Sequence, residues 1–432
     1  MNGKKVIVVG LGKSGFSAAI KLAGLGAVVT ATDQKGESLF SKELLGLLTG
    51  KGIKLALGGN PPELAAGADL VVVSPGIHLD IPILASARQK NIPIISEVEL
   101  AFRFLTKPVI AITGTNGKTT TTTLIGEMLK AGGKRLAVAG NIGLPLIEVD
   151  DSSLDYVVAE ISSYQLEAIV DFKPFISVIL NIQPDHLERH HTLAEYIAQK
   201  QRIFANQTGD DYLVYNADDP QVVKMAQEAK AQLVPFAKEE AARIISLVPE
   251  EIRIPGRHNL ENALAAASVA ALCGIKKEKV AKVLKTFPGV EHRIEFVQKK
   301  KGIGFYNDSK GTNPDSTIVA IETFKGKGLV LILGGRDKGV DLDEMVKRIK
   351  DNVKAVVLIG EAADRFETAL RKAGYDQIFR AGFSMGDAVR EAYRLAEKGD
   401  IVLLSPACAS FDMFSNYEER GRIFKELCLS LK

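Results

Sequence analysis

The chain of 432 residues has no tryptophan, and its three cysteines (Cys273, Cys408 and Cys428) form no C-x-x-C pair. An odd number of scattered thiols argues against a disulfide framework. It fits a reducing compartment, with all three residues expected as small buried hydrophobes. Charge of one sign is also lacking: 55 basic residues face 52 acidic ones, a net charge of +3. That near-balance argues against a nucleic-acid coat or a membrane-surface binder, so neither nucleic acid nor membrane is expected as a partner. Long apolar runs are missing too. Residues 6–12 follow Lys4 and Lys5 as a signal peptide would, but Lys13 breaks the run, which reads better as a strand entering a glycine turn. The longest apolar helical stretch, 263–274, falls short of the roughly 20 residues a bilayer requires. The expectation is a soluble, cytoplasmic protein.

Glycine, in contrast, is plentiful, with 39 residues, and three times a β-branched run ends in a glycine-rich turn followed by a helical pattern. These runs lie at 5–15, 109–118 and 329–339. Such alternation signals βαβ units with buried parallel strands. Length favours about three domains. We expect an α/β chain of three domains: a Rossmann-like one over 1–96, a central P-loop domain over 97–289, and a second Rossmann-like one over 290–432. Further strands are expected at 28–33, 70–73, 156–160, 176–181, 212–216, 304–307, 355–359 and 401–404. Helices are expected at 259–272, 341–349 and 365–373. Residues 97–107 read as a charged helix and linker. Ligands should collect at the strand C-termini.

The strongest chemical motif is Gly114-Thr115-Asn116-Gly117-Lys118-Thr119-Thr120, which follows the strand over 109–113 and opens a helix. Glycines let the backbone form a cup of N–H groups for phosphate oxygens, and the helix N-terminus adds a favourable dipole. Lys118 would pair with the β and γ phosphates of ATP, and the Thr119 hydroxyl would join a Mg²⁺ shell. Ile112 stands where the general P-loop pattern has its first glycine.

Gly10-Leu11-Gly12-Lys13-Ser14-Gly15 also follows a strand, and Asp33 ends the next one. Taken alone this fingerprint suggests NAD, but any diphosphate can sit on that helix N-terminus, and a bare structural turn is a further reading. Glu160 ends a strand of the central domain and His186 follows another; both suit Mg²⁺, although imidazole is an unusual partner for so hard an ion. Asp185, His190 and His191 compete for that role; the two latter histidines read as a solvated turn. Lys200, on composition alone, reads as a solvent-facing helical lysine. Residues 308–313, Gly334 to Gly339, and 405–411 form polar loops that should open at one edge of one sheet.

In this order, with Asn141-Ile142-Gly143, Gly256-Arg257-His258-Asn259-x-x-Asn262 and His292-Arg293 added, the chain resembles the Mur ligase family over essentially its whole length. Its glycine fingerprint, Ser74-Pro75-Gly76-Ile77, 308–313 and 405–411 are similar to the D-glutamate-adding branch. The resemblance implies an ATP-dependent amide ligase that joins D-glutamate to UDP-N-acetylmuramoyl-L-alanine through an acyl phosphate. It implies ATP and two Mg²⁺ as cofactors. By the same resemblance Lys118, Glu160, His186 and Lys200 are catalytic, and Lys200 is a carbamate that ligates metal with Thr119, Glu160 and His186. ATP would meet residues 114–120, Asn259, Asn262, Arg293 and Asp308. The UDP-sugar would meet residues 10–15, Asp33, Gln34, Lys35, Gly76, Asn141 and His186. D-glutamate would meet Lys310, Thr312, Lys338, Ser410, Phe411 and Tyr417. Gln34-Lys35 and Gly311 depart from the commonest residues of that branch. Rival readings are another amide ligase of the superfamily (a folylpolyglutamate synthase or a different Mur ligase), an NAD-dependent dehydrogenase and a non-catalytic nucleotide-binding regulator.

Overall fold

Each of the three glycine-terminated runs lies inside its own sheet. The computed structural model describes residues 1–240, 244, 251–254, 256–337 and 339–431. Among these, the first sheet comprises β1 (Lys5–Val9), β2 (Val28–Asp33), β3 (Lys54–Leu57), β4 (Leu70–Val73) and β5 (Ile94–Ser96). All are parallel, in the order β3-β2-β1-β4-β5. The second comprises β6 (Val109–Thr113), β7 (Leu136–Gly140), β8 (Tyr156–Glu160), β9 (Ile176–Ile179), β10 (Tyr212–Asn216) and β11 (Gln232–Phe236). It is parallel in the order β11-β10-β9-β6-β8-β7. The third comprises β12 (Glu295–Lys300), β13 (Ile303–Asn307), β14 (Leu329–Gly334), β15 (Ala355–Ile359), β16 (Ile378–Arg380) and β17 (Ile401–Leu404). Its order is β12-β13-β17-β14-β15-β16, with β12 alone antiparallel. β6, β8 and β14 are buried throughout or nearly so, as continuous Val/Ile/Leu runs covered on both faces must be.

The chain divides into two compact units, Met1–Glu251 with Leu260–Leu284, and Ile252–Asn259 with Lys285–Lys432. The first unit holds both the first and the second sheet, and one hydrophobic cluster runs through it from Val6, Val8 and Leu22 to Val109, Leu146 and Phe172. The segment expected as a charged linker lies in this cluster. Ser96 caps the helix Glu97–Phe102 by accepting from the Glu99 N–H, and Glu97 and Glu99 are both buried. Glu99 is satisfied by the backbone N–H groups of Val170, Asp171 and Phe172, at 2.8–3.0 Å, and by Arg103. Glu97 accepts from Ile147 N–H at 2.7 Å. Donors meet both oxygens of Glu99, which ties it into the fold, whereas Glu97 Oε2 is buried without a hydrogen-bond partner.

Other boundaries shift slightly. The helix expected at 341–349 is Asp343–Asn352, since the Asp341 carboxylate accepts from Asp343 N–H and so stays outside it. The one expected at 365–373 is Ala363–Lys372. The strand expected to reach Asn181 stops at Ile179, because Asn181 turns to receive the phosphate-loop backbone. Among the described residues no helix is long and apolar enough to cross a membrane. The three cysteines are free and buried, as expected.

Candidate active site

β6 lies between β9 and β8, so its C-terminal end opens where neighbouring chains depart in different directions, the usual place for a ligand in an open parallel sheet. The loop that follows is held by the backbone and side chain of Asn181, two residues beyond β9. Thr115 N–H donates to the Asn181 carbonyl at 2.9 Å, and Asn116 N–H donates to Asn181 Oδ1 at 2.8 Å. Gly114 and Gly117 have φ of 148° and 84°, which only glycine adopts at low cost. A Cβ on Gly114 would also lie 3.0 Å from that of Leu180. The helix Lys118–Ala131 starts at once, with Thr119 and Thr120 buried at its first turn.

Lys118 Nζ donates to the carbonyls of Gly114 (2.9 Å) and Thr115 (2.8 Å). Lys200 Nζ donates to the same Gly114 carbonyl at 2.8 Å. Lys200 is therefore no surface lysine: it is 1% exposed, with its ammonium 4.6 Å from the centroid of Tyr196. Burial, reinforced by the charge of Lys118, holds its pKa well below the usual lysine value, against the pull of Asp185 and Glu160. Tyr196, a contact not foreseen, hydrogen bonds Thr115 Oγ1 at 3.1 Å and so ties this lysine's surroundings to the phosphate loop.

Glu160 ends β8 beside β6, paired in register with Ile112, and is 2% exposed. Its Oε1 accepts from the Asn141 side chain at 2.8 Å, whereas Oε2 is buried without a hydrogen-bond partner. A buried, unmatched carboxylate oxygen beside a phosphate cradle is the donor a hard cation satisfies, so the residues present fit a magnesium ion. His186 is half-exposed with φ 54°, its Nε2 3.5 Å from Asp185 Oδ2 and its ring 5.0 Å from Tyr164. His191 is exposed, but His190, expected in the same solvated turn, is buried. It packs between Tyr164 and Tyr196 and hydrogen bonds Ser163 Oγ at 3.0 Å. Desolvation lowers its pKa. Asn262, expected near adenine, is buried and accepts from Thr121 Oγ1 at 3.2 Å.

The first glycine turn borders a separate cleft of ≈ 650 Å³, lined by Gly10, Gly12, Lys13, Ser14, residues 33–36, Leu39 and residues 74–77. Close approach dictates Gly10 and Gly15, while a Cβ on Gly12 would meet nothing within 4 Å. A Cβ on Gly10 would lie 2.8 Å from Ile77 Cγ1, and one on Gly15 would run into the Gly10 carbonyl. Asp33 is committed inside the turn: Oδ2 accepts from Leu11 N–H at 2.7 Å and Oδ1 from Lys35 N–H at 2.9 Å. It thus holds the loop.

In the second unit the three polar loops share one edge, as expected. Ala407 N–H donates to the Gly311 carbonyl, and Gly334 N–H to that of Pro406, both at 2.9 Å. Asp308 is enclosed, with Ser405 Oγ donating to Oδ2 at 2.7 Å and Ile294 N–H to Oδ1 at 3.2 Å; burial lifts its pKa to about 7. The unusual Gly311 has a local reason: a Cβ there would lie 2.5 Å from Asp308 Oδ2 and 3.0 Å from Ser405 Oγ. Lys310 Nζ lies 5.9 Å from the ring centroid of Tyr417. Ser410 is buried and Phe411 is 65% exposed. Lys338 lies outside the described residues. Arg293 follows the buried His292, and Asn259 is buried.

Sequence reasoning missed Arg420, which is 1% exposed and donates to the carbonyls of Ser309 (2.8 Å), Cys408 (3.1 Å) and Ala409 (3.3 Å). It joins two of the polar loops. Only its place in the first turn after Tyr417 hinted at this, since a lone arginine on a helix ordinarily reads as surface.

Three family models match in succession: the Mur ligase MurD-like N-terminal domain over residues 4–96, the Mur ligase middle domain over 112–270, and the Mur ligase glutamate ligase domain over 292–408. The UDP-N-acetylmuramoylalanine--D-glutamate ligase of Thermoanaerobacter sp. is 48% identical, over 100% of this chain and 99% of that one. Among solved structures, the UDP-N-acetylmuramate-alanine ligase MurC of Thermotoga maritima superposes with a TM-score of 0.59 at 21% identity, covering 99% of this chain and 100% of that one. The MurF ligase of Thermotoga maritima, solved in complex with ADP, gives 0.61 at 16% identity, covering 93% and 95%. At those identities the structures speak for the three-domain fold, while the relative at 48% identity over full length speaks for descent. The chain belongs to the Mur ligase family.

Proposed function

We propose that this enzyme joins the amine of D-glutamate to the alanyl carboxylate of UDP-N-acetylmuramoyl-L-alanine at the expense of ATP, in peptidoglycan precursor synthesis. The observation that carries the reading is the convergence of Lys118, Lys200 and the unmatched Glu160 oxygen on the loop after β6. The full-length likeness to a D-glutamate ligase supports the choice of amino acid. Residues 1–96 would take the UDP-sugar through residues 10–15, Gln34, Lys35 and Gly76. Residues 97–289 would take ATP, and residues 290–432 D-glutamate through Lys310, Thr312, Lys338, Ser410, Phe411 and Tyr417. The reading puts the reaction in the cytoplasm, which supplies ATP.

The alanyl carboxylate attacks the γ-phosphorus, the bond to the β-γ bridging oxygen breaks, and ADP leaves. Lys118 holds the γ-phosphate and neutralises charge that grows along the way. The amine of D-glutamate then attacks the acyl carbon and loses a proton, and phosphate departs as the amide forms. Magnesium, held by Glu160, Thr119, His186 and Lys200, would supply charge neutralisation at the phosphates. A bare ammonium cannot ligate it. The buried Lys200 is instead disposed to the neutral amine, which adds to carbon dioxide and releases one proton to give a carbamate oxygen donor. The dehydrogenase reading loses ground because it leaves the loop around Lys118 and the glutamate ligase domain match over residues 292–408 without a use.

The test is phosphate release with ATP, Mg²⁺ and UDP-N-acetylmuramoyl-L-alanine across a panel of D- and L-amino acids. Release with D-glutamate alone is expected. Preference for another amino acid would reassign the chain within its superfamily, and no release with any would overturn the reading.

A further inference from the structure

A short loop after β7 connects the two glycine turns of the first unit. Gly140 ends that strand with φ 102°, and a Cβ there would run into the carbonyl of Glu160. This close approach lets the next residue grip Glu160 twice. Asn141 N–H donates to the Glu160 carbonyl at 2.8 Å, and the Asn141 side-chain amide donates to Oε1 at 2.8 Å. The loop is closed by Gly140 N–H on the Leu144 carbonyl at 2.8 Å. Two residues beyond Asn141, the carbonyl of Gly143 accepts from Lys13 Nζ at 2.6 Å. Lys13 opens the helix that follows the first glycine turn. One helical turn on, Ser17 hydrogen bonds Glu148 from the same side.

We infer that Asn141 is a positioning residue for Glu160, and that Lys13 braces it through Gly143. The inference rests on the metal reading of Glu160. A carboxylate free to rotate presents either oxygen or both. One whose Oε1 is committed to an amide presents Oε2 alone, in one orientation, at a buried position. Hydrogen-bond partners of this kind set the orientation and basicity of metal ligands. The brace adds a consequence. A diphosphate at the first turn competes with Gly143 for the Lys13 ammonium, so the UDP-sugar site and the metal site are energetically linked, and each ligand must alter the affinity of the other by the same factor. Asn141 then does more than touch the UDP-sugar.

The experiment measures Mn²⁺ affinity from the loss of the free-ion electron paramagnetic resonance signal, with a non-hydrolysable ATP analogue and without UDP-sugar. Asn141→Ala is expected to weaken Mn²⁺ binding about tenfold. Lys13→Met, which keeps the stem of an exposed residue, is expected to weaken it by roughly two- to threefold, a smaller effect because Lys13 acts through the loop. Saturating UDP should change the wild-type Mn²⁺ affinity and leave that of Lys13→Met unchanged. Asn141→Leu serves where the alanine variant unfolds; it keeps a similar size, removes the donor without adding a charge, and should also lose Mn²⁺ affinity. Wild-type Mn²⁺ affinity in a folded Asn141 variant, with only the KM for the UDP-sugar raised, would overturn the inference. Absence of Mn²⁺ uptake by the wild type would instead overturn the metal reading itself.

Discussion

The turns after β1 and β6 look alike in sequence, each a glycine-rich stretch between a buried strand and a helix, yet their surroundings differ. Around the first, the Asp33 carboxylate accepts one backbone N–H on each oxygen, from Leu11 and Lys35. Around the second, Glu160 keeps one oxygen unmatched, and two lysines share the Gly114 carbonyl. A carboxylate held by a backbone N–H on each oxygen fixes the shape of a docking surface. An open set with concentrated charge makes a place for chemistry, because the missing partners must come from ligands. Glycine spacing locates both turns and does not separate them.

The sharpest way to break this comparison is to remove charge from the second turn. Lys118→Ala should lower the rate of phosphate release by about 10²–10³-fold, since the ammonium is needed most as the γ-phosphate transfers. Turnover near wild type would end the distinction. Lys200→Ala should cost roughly 10²-fold, through disturbed metal binding. The unmodified wild-type side chain and its carbamate are told apart by ¹³C nuclear magnetic resonance after exchange with ¹³CO₂. A carbamate resonance present in wild type and absent from the variant is expected, and its absence from active wild type would rule the carbamate out.

How far these features were legible follows the same line. The β-branched runs, the glycine turns and the helices between them come from local pattern, and they appear within a few residues of expectation. Burial of charge does not. Lys200 and His190 read as solvent-facing, Glu97 and Glu99 as part of a charged helix and linker, and Arg420 drew no reading; each is buried. Their partners come from far along the chain: Glu99 meets the backbone at 170–172, and Arg420 that at 309 and 408–409. A sequence window holds the charged residue but not the distant donor or acceptor that makes its burial tolerable. Family resemblance singled out Lys200, and for Arg420 no comparable pointer existed.

The seam between the two sheets gives a third test. Glu97 is buried, and desolvation raises its pKa from 4.5 to about 7, with Ile147 N–H opposing. The folded state therefore holds a proton that the unfolded chain releases above pH 4.5. The unfolded state binds fewer protons across that window, so stability falls as pH rises from about 4.5 to about 7 and then levels off, by about 3 kcal/mol at most. Glu97→Gln mimics the protonated form and should remove this part of the pH dependence, raising Tm at pH 8 but not at pH 4.5. Parallel Tm-against-pH curves for the two proteins would refute the assignment.

The smallest expected effect concerns Asp33 and decides whether the first turn is held by its carboxylate or uses it on a ligand. In Asp33→Asn one side-chain oxygen still accepts a backbone N–H, while the other becomes an amide that faces a donor. One charge-assisted bond is lost, worth roughly 1.5–3 kcal/mol, and part of that is recovered as the loop relaxes toward solvent. If Asp33 is a turn-holder, the variant unfolds at lower denaturant concentration even without ligand, and the KM for the UDP-sugar rises only through the loosened loop. At saturating UDP-sugar its kcat should match that of wild type, because the cradle around Lys118 is untouched. A variant with wild-type stability that nonetheless binds UDP more weakly in calorimetry would show the opposite. Asp33 would then be a ligand contact, and the two glycine turns would differ less than their hydrogen bonds indicate.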